Sequence, residues 1–141
     1  MVAELKVYDS AEKFMDDMES EVAKLKSTLG EYLRKLDEIR LAAEKTKKIR
    51  ETVFKLAGKR MDKDDEDEVP MGDVTIVLNV NPFNELTAME EAVRSLQEKL
   101  LSLEKTREAV KWLDQFKDAG GIKLLVLEKD GVPRKIMIKV T

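Results

Sequence analysis

AEKFMDDMESEVAKLKSTLGEYLRKLDEIRLAA, residues 11–43, carries its apolar side chains at Ala11, Met15, Met18, Val22, Leu25, Leu29, Tyr32, Leu36, Ile39 and Ala43. The gaps alternate four and three without a miss, which is the spacing of a coiled-coil seam held for more than four heptads. Phe14, Leu33 and Leu41 lie beside the seam and widen the stripe beyond a two-stranded contact. The stretch is expected to be one half of an antiparallel helical hairpin whose spare apolar flank is buried against a second copy of the chain.

Working outward, residues 2–8 alternate apolar and polar and predict a short strand. Asp9 with Glu12 three residues on forms a capping-box-like helix start. The helix then reads to about Ala57, with Gly58 placed as a C′ glycine. Gly30 lies inside it at a cost of ~1 kcal/mol relative to Ala. The seam keeps register from Leu29 to Leu36, so an unbroken helix is expected. After Ile39 the pattern slips. The old register would put Thr46 and Arg50 on the seam, whereas a shift of three gives Ala42, Thr46, Ile49, Val53 and Leu56, which reads as a stammer.

Residues 59–72 read as an acidic flexible linker between the two long-helix halves, with six acids and one Lys from Asp62 to Glu68. Residues 73–80 alternate again and predict a strand. Asn81-Pro82 gives the N-cap and first position of a second helix, with Asn84 as the rival cap. That helix carries Leu86, Met89, Val93, Leu96, Leu100 and Leu103, slips through Thr106 to Val110 and Leu113, and ends at Gly120-Gly121. The tail reads as a hairpin around Asp130-Gly131.

The fold class is therefore α+β. A long antiparallel helical hairpin of coiled-coil type carries a small antiparallel β-sheet that includes the C-terminal β-hairpin, all within one domain, residues 1–141. The first strand and the final hairpin meet at one end. The middle strand lies at the other, and a lone strand is not stable in water. Pairing with another copy of itself or with another chain is the favoured solution, ahead of a bend near residues 104–107 or a break at Gly30.

Charged residues make up 39% of the chain, well above the roughly 25% of an average domain, as suits long solvated helices. The net charge of −3 sets up no global field toward nucleic acid or membrane. Cysteine and histidine are both absent, which removes disulfides, thiolate metal sites, the commonest general base and the usual pH switch. The only amides are Asn79, Asn81, Asn84, Gln97 and Gln115, and scarce amides beside abundant Glu and Lys give a hyperthermophile-like composition. No stretch reads as a signal peptide or a membrane span, so a cytoplasmic protein with no membrane partner is expected.

No motif names a reaction. The cluster Asp62, Asp64, Asp65, Glu66, Asp67 and Glu68 lacks the spacing and central Gly of a calcium loop and reads as a solvated linker. The glycines stand in the wrong order for a phosphate loop. The serines have no His partner. Trp112 and Phe116, one helical turn apart, read as core sooner than as a binding anchor.

An enzyme with catalytic, cofactor-binding or metal residues is therefore not expected. The expected function is that of a non-enzymatic interaction or assembly protein, a coiled-coil scaffold, adaptor or chaperone-like subunit acting as an oligomer. A homodimer is the expected form, with another protein as a further partner. The candidate oligomer interface is Met15, Met18, Val22, Leu25, Leu29, Leu33, Leu36, Val74, Ile76 and Leu78. The helix–strand–helix order resembles the topology of prefoldin subunits, which are coiled-coil chaperone components; the strand before the first helix and the hairpin after the second stand outside that pattern. The alternative is a nucleic-acid-associated accessory protein. It would use Lys47, Lys48, Arg50, Lys55, Lys59 and Arg60 of the basic helix end, residues 45–60, and the basic C-terminal hairpin as phosphate contacts.

Overall fold

The computed structural model describes residues 2–57, 67–78, 81–116 and 120–141. The elements run β1 (Ala3–Tyr8), α1 (Ala11–Ala57), β2 (Asp67–Met71), β3 (Val74–Leu78), α2 (Pro82–Ala109), a 3₁₀ segment (Lys111–Phe116), β4 (Ile122–Lys129) and β5 (Val132–Val140). The protein is thus α+β, with a long first helix, a second helix and small antiparallel sheets. Helix α1 passes through Gly30 without a break. Its cap is Ser10, whose Oγ accepts a bond from the Lys13 N–H at 3.1 Å, and not the Asp9 read from the sequence. Asp9 instead pairs with Lys13. At α2 the expected cap holds: Asn81 Oδ1 accepts from the Phe83 and Asn84 amides at 2.9 and 3.1 Å, with Pro82 at the first helical position.

The second helix ends sooner than Gly120. The Thr106 hydroxyl bonds back to the Ser102 carbonyl at 2.9 Å, and such back-bonding bends helices. From Val110 the chain tightens to 3₁₀ spacing. Side chains three apart eclipse in that geometry, which aligns Val110, Leu113 and Phe116 on one side. Val110 and Leu113 are buried there, and Phe116 packs against them.

The chain divides into two compact units, Met1–Leu29 with Ser95–Thr141, and Gly30–Arg94. In the first, β1 and the final hairpin make a three-stranded antiparallel sheet in the order β1-β4-β5, as the sequence led us to expect. The hairpin turn is Asp130-Gly131, with φ of 54° and 78°, the pair of positive values a type I′ turn requires. Arg134 is an extra residue in β5, so Leu127 pairs with Lys135 but Glu128 with Pro133. The inner face of the sheet presents Leu124 and Val126 to Ala11, Phe14 and Met18 of α1 and to Val110 and Leu113. A second cluster joins Val22, Leu103 and Val132. Ion pairs Arg107–Glu19 (3.2 Å) and Lys26–Glu104 (3.6 Å) cross between the antiparallel helices.

The second unit corrects two readings. The middle strand needs no other chain: β3 pairs with β2 through a two-residue Gly72-Asp73 turn, in the register Met71↔Val74 and Val69↔Ile76. Gly72 has φ 63°, as the first central residue of a type II′ turn requires. Residues 67–71 are therefore strand, and the rest of the expected linker, residues 59–66, lies outside the described residues together with Gly58. Pro70 is accommodated because the hairpin leaves it on an edge strand.

The second correction is the stammer, which is absent. Leu36 and Ala43 are buried and Ile39, Thr46 and Arg50 are half-buried, so burial continues in the original register. Ala42, Ile49 and Val53 point to solvent. In the second unit one face of α1 meets α2, and Arg50 can serve on it by laying its methylenes along the contact while its head reaches water.

Candidate functional site

The most polar constellation in the first unit is built where β1 and β4 face the start of α1. Strand alternation turns Lys6, Tyr8 and Glu128 to the inner face, and helical spacing turns Asp17 and Glu21 toward them. Glu128 is 94% buried by its 6% exposure, and its Oε2 pairs with Lys6 Nζ at 3.2 Å. The Tyr8 hydroxyl donates to Asp17 Oδ2 at 2.6 Å, while its ring meets Phe14 edge-on with centroids 5.3 Å apart. Burial pushes the Tyr8 hydroxyl pKa up, and the bond to Asp17 adds to it. Burial works against the Lys6 ammonium, but the hydrogen bond to Glu128 and the Asp17 and Glu21 carboxylates outweigh it and raise its pKa. Both groups keep their protons at neutral pH. They act as hydrogen-bond donors that fix β1 to β4 and α1. Beside them lies an open depression of about 190 Å³ edged by Val2, Glu4, Asp130 and Gly131. Among the described residues no three His, Cys, Asp or Glu side chains converge as metal ligands.

The sequence-derived interface residues separate into two groups. Met18, Val22 and Leu36 are buried within the chain, and Met15, Leu25 and Leu29 are half-buried along the same seam. Leu33, Val74 and Ile76 are exposed, Val74 to 64%. Leu78 closes β3. Sequence reasoning missed Met71, which pairs with Val74 on one face of the hairpin. The missed signal was Gly-Asp between two runs of alternating apolar residues, a two-residue hairpin turn obscured by Pro70 and the preceding acids. It also placed Ile49 (64% exposed) and Val53 (55% exposed) on the seam, where they are not.

Of the basic candidates, Lys47, Lys48 and Lys55 are exposed and Arg50 is half-buried; Lys59 and Arg60 lie outside the described residues. Lys47 and Arg40 edge a groove of about 300 Å³ floored by Ala43, Phe83 and Leu86. Trp112 stands half-exposed against Phe116, with ring centroids 5.9 Å apart.

Together these features define an α+β protein with a buried polar cluster and, among the described residues, exposed aliphatic and lysine side chains. Comparison with protein-family models, with curated proteins and with solved structures finds no match to this chain. No helix among the described residues is long and apolar enough to cross a membrane.

Proposed function

We propose that the protein is a non-enzymatic interaction and assembly protein of the cytoplasm, a scaffold, adaptor or chaperone-like subunit that works as a homodimer. The observation that carries this reading is the aliphatic surface of the second unit. Leu33, Leu41, Ile49 and Val53 on α1, and Met71, Val74 and Ile76 on the β2–β3 hairpin, are all exposed. Monomers rarely expose large contiguous apolar patches, and burial of such side chains is the main driving force of association. Leu41, Ile49 and Val53 follow the i+4 ridge of one helix flank, the arrangement that packs against another helix. Light scattering of the full chain tests the proposal. A dimeric mass at micromolar concentration is expected, and a monomeric mass across that range overturns it.

A second reading rests on a separate observation: Lys47, Lys48 and Lys55 are exposed and make no ion pair among the described residues. A nucleic-acid accessory role would use them as phosphate contacts, which are strongest at low salt. Binding of a labelled oligonucleotide at about 50 mM salt decides it, since phosphate affinity falls steeply above that range.

A further inference from the structure

The outer face of the β1-β4-β5 sheet has a composition unlike the rest of the molecule. Apart from the buried Val132, strand register places ten residues on it, and four of them, Lys123, Lys129, Lys135 and Lys139, are lysines while none is a carboxylate. The whole chain carries −3, so this +4 face stands against the general charge. Lys123 and Lys139 sit directly opposite each other in the ladder, a like-charge pair that destabilises a free sheet. All four ammonium groups are exposed, and none makes an ion pair among the described residues. Between them runs an aliphatic strip that includes Leu5 (57% exposed), Val7 (58%) and Met137. Aromatic side chains are absent from the face, so it lacks the stacking platforms on which single-stranded nucleic acid is held. An aliphatic strip framed by unanswered lysines fits a protein segment rich in carboxylates and adjoining apolar residues.

The sequence holds one such segment. Asp62–Glu68 has six acids and one Lys, a net −5 in seven residues, and runs directly into Val69 and Met71. We propose that the lysine-framed outer face of the sheet docks the acidic segment Asp62–Glu68 of a second copy of the chain. The inference rests on the homodimer reading and names the contact that orients it. In a two-fold dimer the contact is made twice, once in each direction, as a closed isologous interface demands. Opposite charges at its rim would speed encounter and fix register more than they add affinity.

Charge reversal in the full chain tests it, with light scattering as the readout. The wild-type mass is measured first, and a monomer there overturns the homodimer reading and this contact with it. Given a wild-type dimer, Lys123→Glu/Lys139→Glu and Asp64→Lys/Asp65→Lys are each expected to weaken dimerisation by about tenfold or more at low salt. An equimolar mixture of the two variants is expected to associate more tightly than either variant alone, because one of the two contacts in the mixed dimer then joins an unaltered lysine face to an unaltered acidic segment. Lys123→Gln/Lys139→Gln, which removes charge without reversing it, is expected to fall between. Circular dichroism of each variant checks that the exposed substitutions leave the fold unchanged. Wild-type association by both reversed variants overturns the contact and leaves the homodimer standing. Weakening without recovery on mixing overturns it too. So does binding of a labelled oligonucleotide or an anionic vesicle that Lys123→Glu/Lys139→Glu abolishes while dimerisation persists.

Discussion

Tyr8 ties a strand to a helix with one hydroxyl, and that sets how the first unit responds to alkali. Its bond to Asp17 is 2.6 Å and charge-assisted. Tyr8→Phe removes the donor but keeps the ring against Phe14, so the expected loss at neutral pH is about 1.5 kcal/mol, read from the urea midpoint. The folded hydroxyl pKa is raised above the ordinary value of 10.0. Above pH 10 the unfolded tyrosine loses its proton while the folded one keeps it. The stability contributed by Tyr8 is therefore complete below that pH and lost as pH climbs toward the folded value. Tyr8→Phe should flatten the alkaline decline; an equally steep decline in the variant would count against this assignment. Gly131 offers a second residue-scale test. At φ 78° an added Cβ is strained and meets Lys99 Nζ at 2.7 Å. The Lys99 tip can move aside, so the expected cost of Gly131→Ala is the backbone term, about 1 to 2 kcal/mol in thermal or urea unfolding.

At the scale of elements, α1 separates side chains the sequence alone had grouped together. Leu36 is 4% exposed and Ile49 is 64% exposed, although both are aliphatic and on one helix. Leu36→Ala should cost about 2 to 5 kcal/mol, as buried large-to-small changes do. Ile49→Ser/Val53→Ser should leave helix content and single-chain stability nearly unchanged, within about 0.5 kcal/mol per site, and should reduce self-association in sedimentation. Association unchanged by that double variant would remove α1 from the interface. The same helix explains what was legible in the sequence. A seam with strict four–three gaps has one reading, and so does Asp130-Gly131 between alternating strands. Past Ile39 the apolar residues leave the seam, and two readings compete: either the helix follows its hydrophobic residues, or it keeps its register and leaves them uncovered. The contact with α2 chose the second. Strand β2 was illegible for a related reason, because Pro70 and a run of acids are poor strand signals and only pairing with β3 makes them strand. The polar cluster was hidden because Lys6, Tyr8, Asp17 and Glu128 come together only through tertiary packing.

For the whole molecule, both units combine buried core residues with exposed large apolar side chains. The first has a core of Phe14, Leu113, Leu124 and Val126, all at most 1% exposed. Among the described residues, the second buries Leu36, Ala43 and Val93 and exposes Leu33, Leu41, Ile49, Val53, Met71, Val74 and Ile76. A unit with exposed aliphatic surface gains stability from whatever covers it. If a second copy covers it, mass action links its stability to chain concentration, by ~1.4 kcal/mol of dimer for each tenfold change. Amide hydrogen exchange resolves the two units in one sample. Protection in Gly30–Arg94 should rise as the chain is concentrated from the nanomolar to the micromolar range. Protection around Leu113 should change much less, because that residue is fully buried in the core within one chain. Rising protection in β4 and β5 as well would agree with a second copy docked on the outer face of the sheet. No dependence in either would mean that the exposed aliphatic surface is not buried by a second copy.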